Sequence, residues 1–286
     1  MDIIIGEEHV FRLPPRFDIE QAREKAWDKK TSVFSSGLAG LISRPRPEEV
    51  QISYIEYRYE PFWHLTCHVH YEYERTRSYT VPVSSPVVER VTIDEKEYRV
   101  LDAPPHIIIT GIEHCLEEAE TAVIFDAVRD LERDWKKYLQ FDKESVVDLE
   151  GFAPVGSIVV PPEVRASAVV RKVITSLLRP IQADKIRKEM LEVQIVNLYF
   201  RPVYAFEYKW EAKGKTAVVE FDGLTGEMST SDVTLRQQFE KVMTRNLLFD
   251  VGADAVDLIL PGGGIAVRVA KAVVEGRHQA ASKKQI

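Results

Sequence analysis

The chain is poor in cysteine and asparagine. Among its 286 residues only Cys67 and Cys115 are cysteines, and only Asn197 and Asn246 are asparagines. Two cysteines cannot build a disulfide framework, so a reducing, cytoplasmic setting is expected. Nor is there a charge-free run of the ~18 residues that a membrane helix needs. The most apolar region, 251–274, is broken by Asp254, Asp257, Pro261, Arg268 and Lys271, which argues against an integral membrane span. Met1-Asp2-Ile3-Ile4-Ile5 lacks the basic segment and long apolar stretch of a signal peptide. Gly-x-Ser-x-Gly and His-Glu-x-x-His are missing. Gly262-Gly263-Gly264 has neither dinucleotide-binding nor P-loop spacing and reads as a joint between helices. Basic charge is in deficit: 38 Lys and Arg stand against 45 Asp and Glu, a net charge of −7. That balance does not favour a general nucleic-acid binder.

What is present is ordinary globular material, 45% hydrophobic and 29% charged. At about 150 residues per domain, the length suggests two domains. Two stretches share one order of features. The first runs Val10-Phe11-Arg12-Leu13-Pro14-Pro15, a helical pattern from Asp18, Glu49-Val50-Gln51-Ile52, then Tyr59-Glu60-Pro61-Phe62-Trp63. The second runs Ser157-Ile158-Val159-Val160-Pro161-Pro162, a helical pattern from Glu163, Glu192-Val193-Gln194-Ile195, then Phe200-Arg201-Pro202-Val203-Tyr204. Asp18 with Gln21 forms a variant capping box for the first helix, and Pro162 suits the first turn of the second. From Trp63 to Glu74 apolar and polar residues alternate, as they do from Tyr204 to Trp210, so both segments are strands with one buried face. Trp63, Leu65, Val69, Tyr204, Phe206 and Trp210 are expected to face the helix of their own unit.

The second stretch, with Pro202-Val203-Tyr204 and the Asp222-Gly223-Leu224-Thr225-Gly226-Glu227 loop, resembles PepSY-type and cystatin-like small α+β modules over about 70 residues. The first stretch departs from that pattern, because Thr80-Val81-Pro82-Val83 runs on without such a loop. The resemblance implies a binding or inhibitory module and supplies no catalytic residues. Leu116 to Leu139 carries an apolar stripe at helical spacing and reads as a long bridging helix. Ser231 to Leu248 reads as a further helix, with two shorter ones after it. The expected fold class is therefore α+β: two tandem helix-plus-antiparallel-meander units, a bridging helix and a helical C-terminal tail. The boundaries are 1–105, 106–150, 151–230 and 231–286.

His68-Val69-His70 projects two imidazoles from one strand face, with His64 on the same face. His64, His68 and His70 are the candidate metal ligands, with His106 and His114 as further donors. Zinc is the cofactor that such a cluster could hold; no other is indicated. Cys115 at Glu113-His114-Cys115 lacks a base or oxyanion partner. Arg171, Lys172, Arg179, Lys185, Arg187 and Lys188 form the densest basic stretch, a candidate anion site or a solvated helix face. In the tail, Ile265, Val267, Val269 and Val273, with Arg268 and Lys271 on a narrow polar stripe, read as an apolar interaction helix. The function expected is that of a non-catalytic binding or assembly protein, with a protein partner or a second copy as its target. The alternatives are a zinc-type hydrolase at the His-x-His strand and nucleic-acid binding through residues 165–188.

Overall fold

The computed structural model describes residues 1–35, 45–102, 104–149, 151–231, 243–244, 248–249 and 268–271. Strands β1 (Asp2–Ile5) and β2 (Glu8–Arg12) lead into helix α1 (Ile19–Lys29). Strand β3 (Val50–Pro82) follows, then a separate hairpin of β4 (Arg90–Ile93) and β5 (Lys96–Arg99), then β6 (His106–Asp126). Three short pairings, β7 (Leu131–Glu132), β8 (Glu144–Ser145) and β9 (Ile158–Val159), precede α2 (Ala166–Leu177). The remaining strands are β10 (Lys185–Trp210), β11 (Lys215–Asp222), β12 (Met228–Ser231) and β13 (Arg268–Lys271).

Eleven of these strands make one mixed sheet, so the fold is α+β. Its spine is the antiparallel pair β3 and β10, joined from Glu74↔Lys185 to Val50↔Trp210. The free edge of β10 is filled in turn by β1 and β2, both parallel, and by antiparallel β11. The free edge of β3 takes parallel β9 and antiparallel β6.

Both helices cover the same face of the sheet. The capping box at Asp18 and Gln21 forms as its sequence indicates. Ala22 and Ala26 of α1 pack with Tyr204, Phe206, Tyr208, Trp210 and Phe221. The Tyr208 hydroxyl donates to the Ala26 carbonyl at 2.6 Å. The second helix begins at Ala166, later than Pro162 suggests, because the Glu163 and Val164 amides donate instead to Ala127 O. It buries Val169, Val170, Val173 and Ile174 in a core with Trp63, Leu65, Val69 and Phe125. The expectation that each strand faces its own unit's helix is therefore corrected. The first helix lies on the later strands β10 and β11, and the second on the earlier strands β3 and β6. The cause is the strand that leads into each helix: β2 docks on β10, and β9 docks on β3.

One set of contacts occurs twice. Leu13 N–H donates to Phe200 O, and Val160 N–H to Tyr59 O, both at 2.9 Å. Arg16 and Phe17 donate to Gly223 O, as Glu163 and Val164 donate to Ala127 O. Tyr204 reaches Phe17 O at 2.9 Å, and Trp63 reaches Val164 O at 2.8 Å. The Asp222 carboxylate accepts from Leu224 and Thr225, and Asp126 accepts from Val128 and Arg129. Both turns close on a left-handed residue, Gly226 at φ 72° and Asp130 at φ 56°. The loop expected only in the second stretch thus has a counterpart at 126–130, displaced along the chain by the long β3–β6 excursion.

Among the described residues, two segments expected as helix contain strands. Residues 106–126 form β6 in place of the start of a bridging helix, and only Lys136–Gln140 turns, as a short 3₁₀ segment. The edge of β3 carries backbone donors and acceptors that a helix could not pair, whereas β6 pairs it residue for residue from Phe62↔Asp126 to Pro82↔His106. Leu116, on the supposed apolar stripe, is 64% exposed. In the tail, Arg268–Lys271 adds to β1 as a parallel strand, Asp2↔Arg268 through Ile5↔Lys271. A Val-rich segment suits a strand beside an open edge better than a solvated helix. Leu248 and Phe249 are helical. Ile265, Val267 and Val273 lie outside the described residues.

Candidate functional site

The described histidines do not form a metal centre. Among the described residues no group of three or more His, Cys, Asp and Glu side chains is placed to hold a metal ion. The reason is spacing along a strand. His64 and His70 are six residues apart, roughly 20 Å at about 3.3 Å per residue. Both ring nitrogens of His70 are engaged, by Glu72 at 2.7 Å and Glu118 at 3.0 Å. Those bonds raise its pKa above the usual histidine value. His64 is buried, and burial followed by the nearby Lys143 charge lowers its pKa. His114 pairs with Glu74 at 3.2 Å, and His106 lies at the far end of β6, opposite Pro82. The zinc cofactor and the metal-binding reading are thereby withdrawn.

The basic stretch spans the end of one element and the start of another. Arg171 and Lys172 lie on α2, Arg179 beyond its end, and Lys185, Arg187 and Lys188 at the start of β10. Three of them meet acids of the sheet and its turns: Lys172 with Asp130 at 2.5 Å, Arg179 with Glu117, and Arg187 with Glu74 at 2.7 Å. No helix among the described residues is long and apolar enough to cross a membrane.

The sheet face away from the helices holds a feature that sequence reasoning missed. Alternation turns Phe62, Ile124 and Tyr199 to this side, where Leu13, Tyr138 and Leu224 complete a small second core. Beside it Glu60 and Arg201 stand opposite each other in register. Arg201 donates to Glu60 at 2.6 Å and to Asp222 at 2.9 Å. Arg58 reaches Glu220 at 2.5 Å and Glu60 at 3.0 Å, with Glu56 at 3.9 Å. The Tyr138 hydroxyl donates to Asp222, and Trp135 stacks on the Arg201 guanidinium at 4.7 Å. Arg58, Arg201, Glu56, Glu220, Asp222 and Asp126 are all buried.

This network floors an open groove of about 760 Å³. Its walls are the two matched turn regions: Arg129, Arg133, Trp135 and Lys137 on one side, Glu227, Ser229 and Thr230 on the other. Burial works against the Arg201 charge, but Glu60, Tyr138, Asp222 and Glu220 outweigh it and hold its pKa above the ordinary value. Burial also raises the Tyr138 pKa. Both groups therefore keep their protons at neutral pH, and no histidine or cysteine lines the groove among the described residues. Such a site can bind and orient charge.

No family model, curated protein or solved structure matches the chain.

A second surface lies at the other end of β6. Beyond Tyr73 the pair β3–β6 runs on as an arm; it carries Ile108 and Ile112, with Leu116 at its base, at 45%, 63% and 64% exposure. From Ile107 to Ile124 the outer edge of β6 pairs with no strand among the described residues. One signal for the groove was readable in advance. The matched segments carry Glu60 and Arg201 at the same place, one residue before Pro61 and Pro202.

Proposed function

We propose that this is a non-catalytic binding and assembly protein that self-associates through the outer edge of β6. The observation carrying this reading is the combination of an unpaired edge with the exposed stripe Ile108, Ile112 and Leu116. A long apolar edge strand is a template for another strand, and chains that keep one either use it or aggregate. A second copy suits this edge. Antiparallel pairing about Thr110 sets Ile108 against the partner's Ile112. It also leaves the acidic run from Glu117 to Glu120 beyond the overlap instead of against itself.

The chain on this reading is two copies of one helix-plus-meander plan, related to PepSY-type and cystatin-like modules, with the helices exchanged between copies. The doubled hydrogen bonds around Asp126 and Asp222 support that plan, as does the meeting of Glu60 with its own counterpart Arg201. The test is molar mass by light scattering across a concentration series. Wild type is expected to be a dimer and Ile112→Lys a monomer with an unchanged melting temperature. A wild type that stays monomeric at about 100 μM, where a micromolar contact would be saturated, refutes self-association.

A further inference from the structure

Two kinds of arginine meet at the groove: Arg201, Arg129 and Arg133 line it, and Arg58 lies in the network beneath. The inner ones, Arg58 and Arg201, are tightly paired, at 2.5–3.0 Å. The outer ones, Arg129 and Arg133, are not. Arg129 lies 3.6 Å from Asp126 Oδ2 and 4.0 Å from Glu220, while Arg133 lies 4.0 Å from the same Asp126 oxygen. Those acids already have work elsewhere. Asp126 Oδ1 accepts the Val128 and Arg129 amides, and Glu220 is held by Arg58 at 2.5 Å. The Arg133 Nε is buried with no hydrogen-bond partner. A guanidinium offers five N–H donors in a fork that matches a planar or tetrahedral oxyanion. Two such forks, on either side of β7, are left lining the same open groove.

The other wall adds Ser229 and Thr230, and Lys137 stands at the rim, bound to Glu227 at 2.5 Å. The volume, about 760 Å³, is that of a small-molecule site and far exceeds one ion. The protein as a whole carries a charge of −7, so general attraction does not bring anions to it; any affinity must be local.

We propose that the groove binds a small organic oxyanion, its carboxylate or phosphate group bridging Arg129 and Arg133. The Ser229 hydroxyl, opposite Glu220 in register, would face the remainder of the ligand. The inner Arg–acid network then serves as a rigid floor, because each of its arginines is held by at least two carboxylates. This inference does not depend on self-association through β6.

Titration of the full chain with inorganic phosphate and, separately, with succinate tests it, read by calorimetry and by tryptophan fluorescence, to which Trp135 at the groove contributes. Saturable binding of at least one probe is expected. Phosphate binding alone points to a phosphorylated ligand, and succinate binding alone to a carboxylate. Arg129→Gln and Arg133→Gln should each weaken binding about tenfold or more, the loss of a charge-assisted contact. Arg171→Gln, on α2, should leave it unchanged. Both arginines are more than a third exposed, so their glutamine variants should fold, and the melting temperature checks this. If one variant fails to fold, the other decides. Absence of binding by both probes at about 10 mM, weaker than any useful site, overturns the proposal. So does equal binding by wild type and a folded glutamine variant.

Discussion

Arg201→Met is the sharpest test of the buried network. Methionine keeps most of the aliphatic stem, so what disappears is the guanidinium, with its charge and its stacking on Trp135. The Arg201 side chain is 10% exposed, with Glu60 at 14% and Asp222 at 8%, so water cannot replace the lost partner. Removing one member of such a pair leaves an uncompensated buried charge, at a cost of about 3–5 kcal/mol. That is a large part of the roughly 5–15 kcal/mol that holds a typical domain folded. Urea is the denaturant to use, since guanidinium would screen the interaction being measured. Glu60→Gln in the same background should recover part of the loss, with a coupling of about 0.5–3 kcal/mol in the double-mutant cycle. A loss under about 1 kcal/mol at unchanged urea slope, or strict additivity with Glu60→Gln, would show that the network is not electrostatically closed.

Trp63→Ala should cost about 3–5 kcal/mol in urea unfolding, because it removes a fully buried ring and its bond to the Val164 carbonyl; a shift below about 1 kcal/mol would contradict the packing of α2 on β3. The two perturbed histidines should act in opposite directions with pH. His70, raised by Glu72 and Glu118, adds stability that is complete below the ordinary value of about 6.5 and fades as pH rises through its folded pKa. His64, lowered by burial, withdraws stability as pH falls below that ordinary value toward its folded pKa. Imidazole proton chemical shifts followed over pH should show His70 titrating above His64, and the reverse order would contradict both assignments. Burial pushes the Cys67 thiol up to about 12, so in the folded protein at pH 8 a thiol reagent should spare it and label it only after unfolding. Prompt labelling of Cys67 would mean that the β3 core opens readily.

Features that depend on a few neighbouring residues were legible in the sequence. Asp18 and Gln21 specify a helix start wherever that helix docks, because the capping bonds span three residues. The alternation from Trp63 to Tyr73 and from Tyr204 to Trp210 specifies a strand with one apolar face, since that pattern is local too. Other features could only be decided by the partner. The stripe at Leu116, Ala119 and Val123 fits helical spacing, yet the open edge of β3 drew those residues into β6. Val269 and its neighbours fit either conformation, and the free edge of β1 selected the strand. Which strands each helix covers was not legible, because an apolar helix stripe does not record which of two aromatic faces it will meet. His68 and His70 share a face as alternation requires, but whether ligands converge on them depends on neighbouring strands. The opposite charges of Glu60 and Arg201 stand plainly in the matched segments. Antiparallel register alone decided that they meet, and burial turned that meeting from a solvated pair into the floor of a groove.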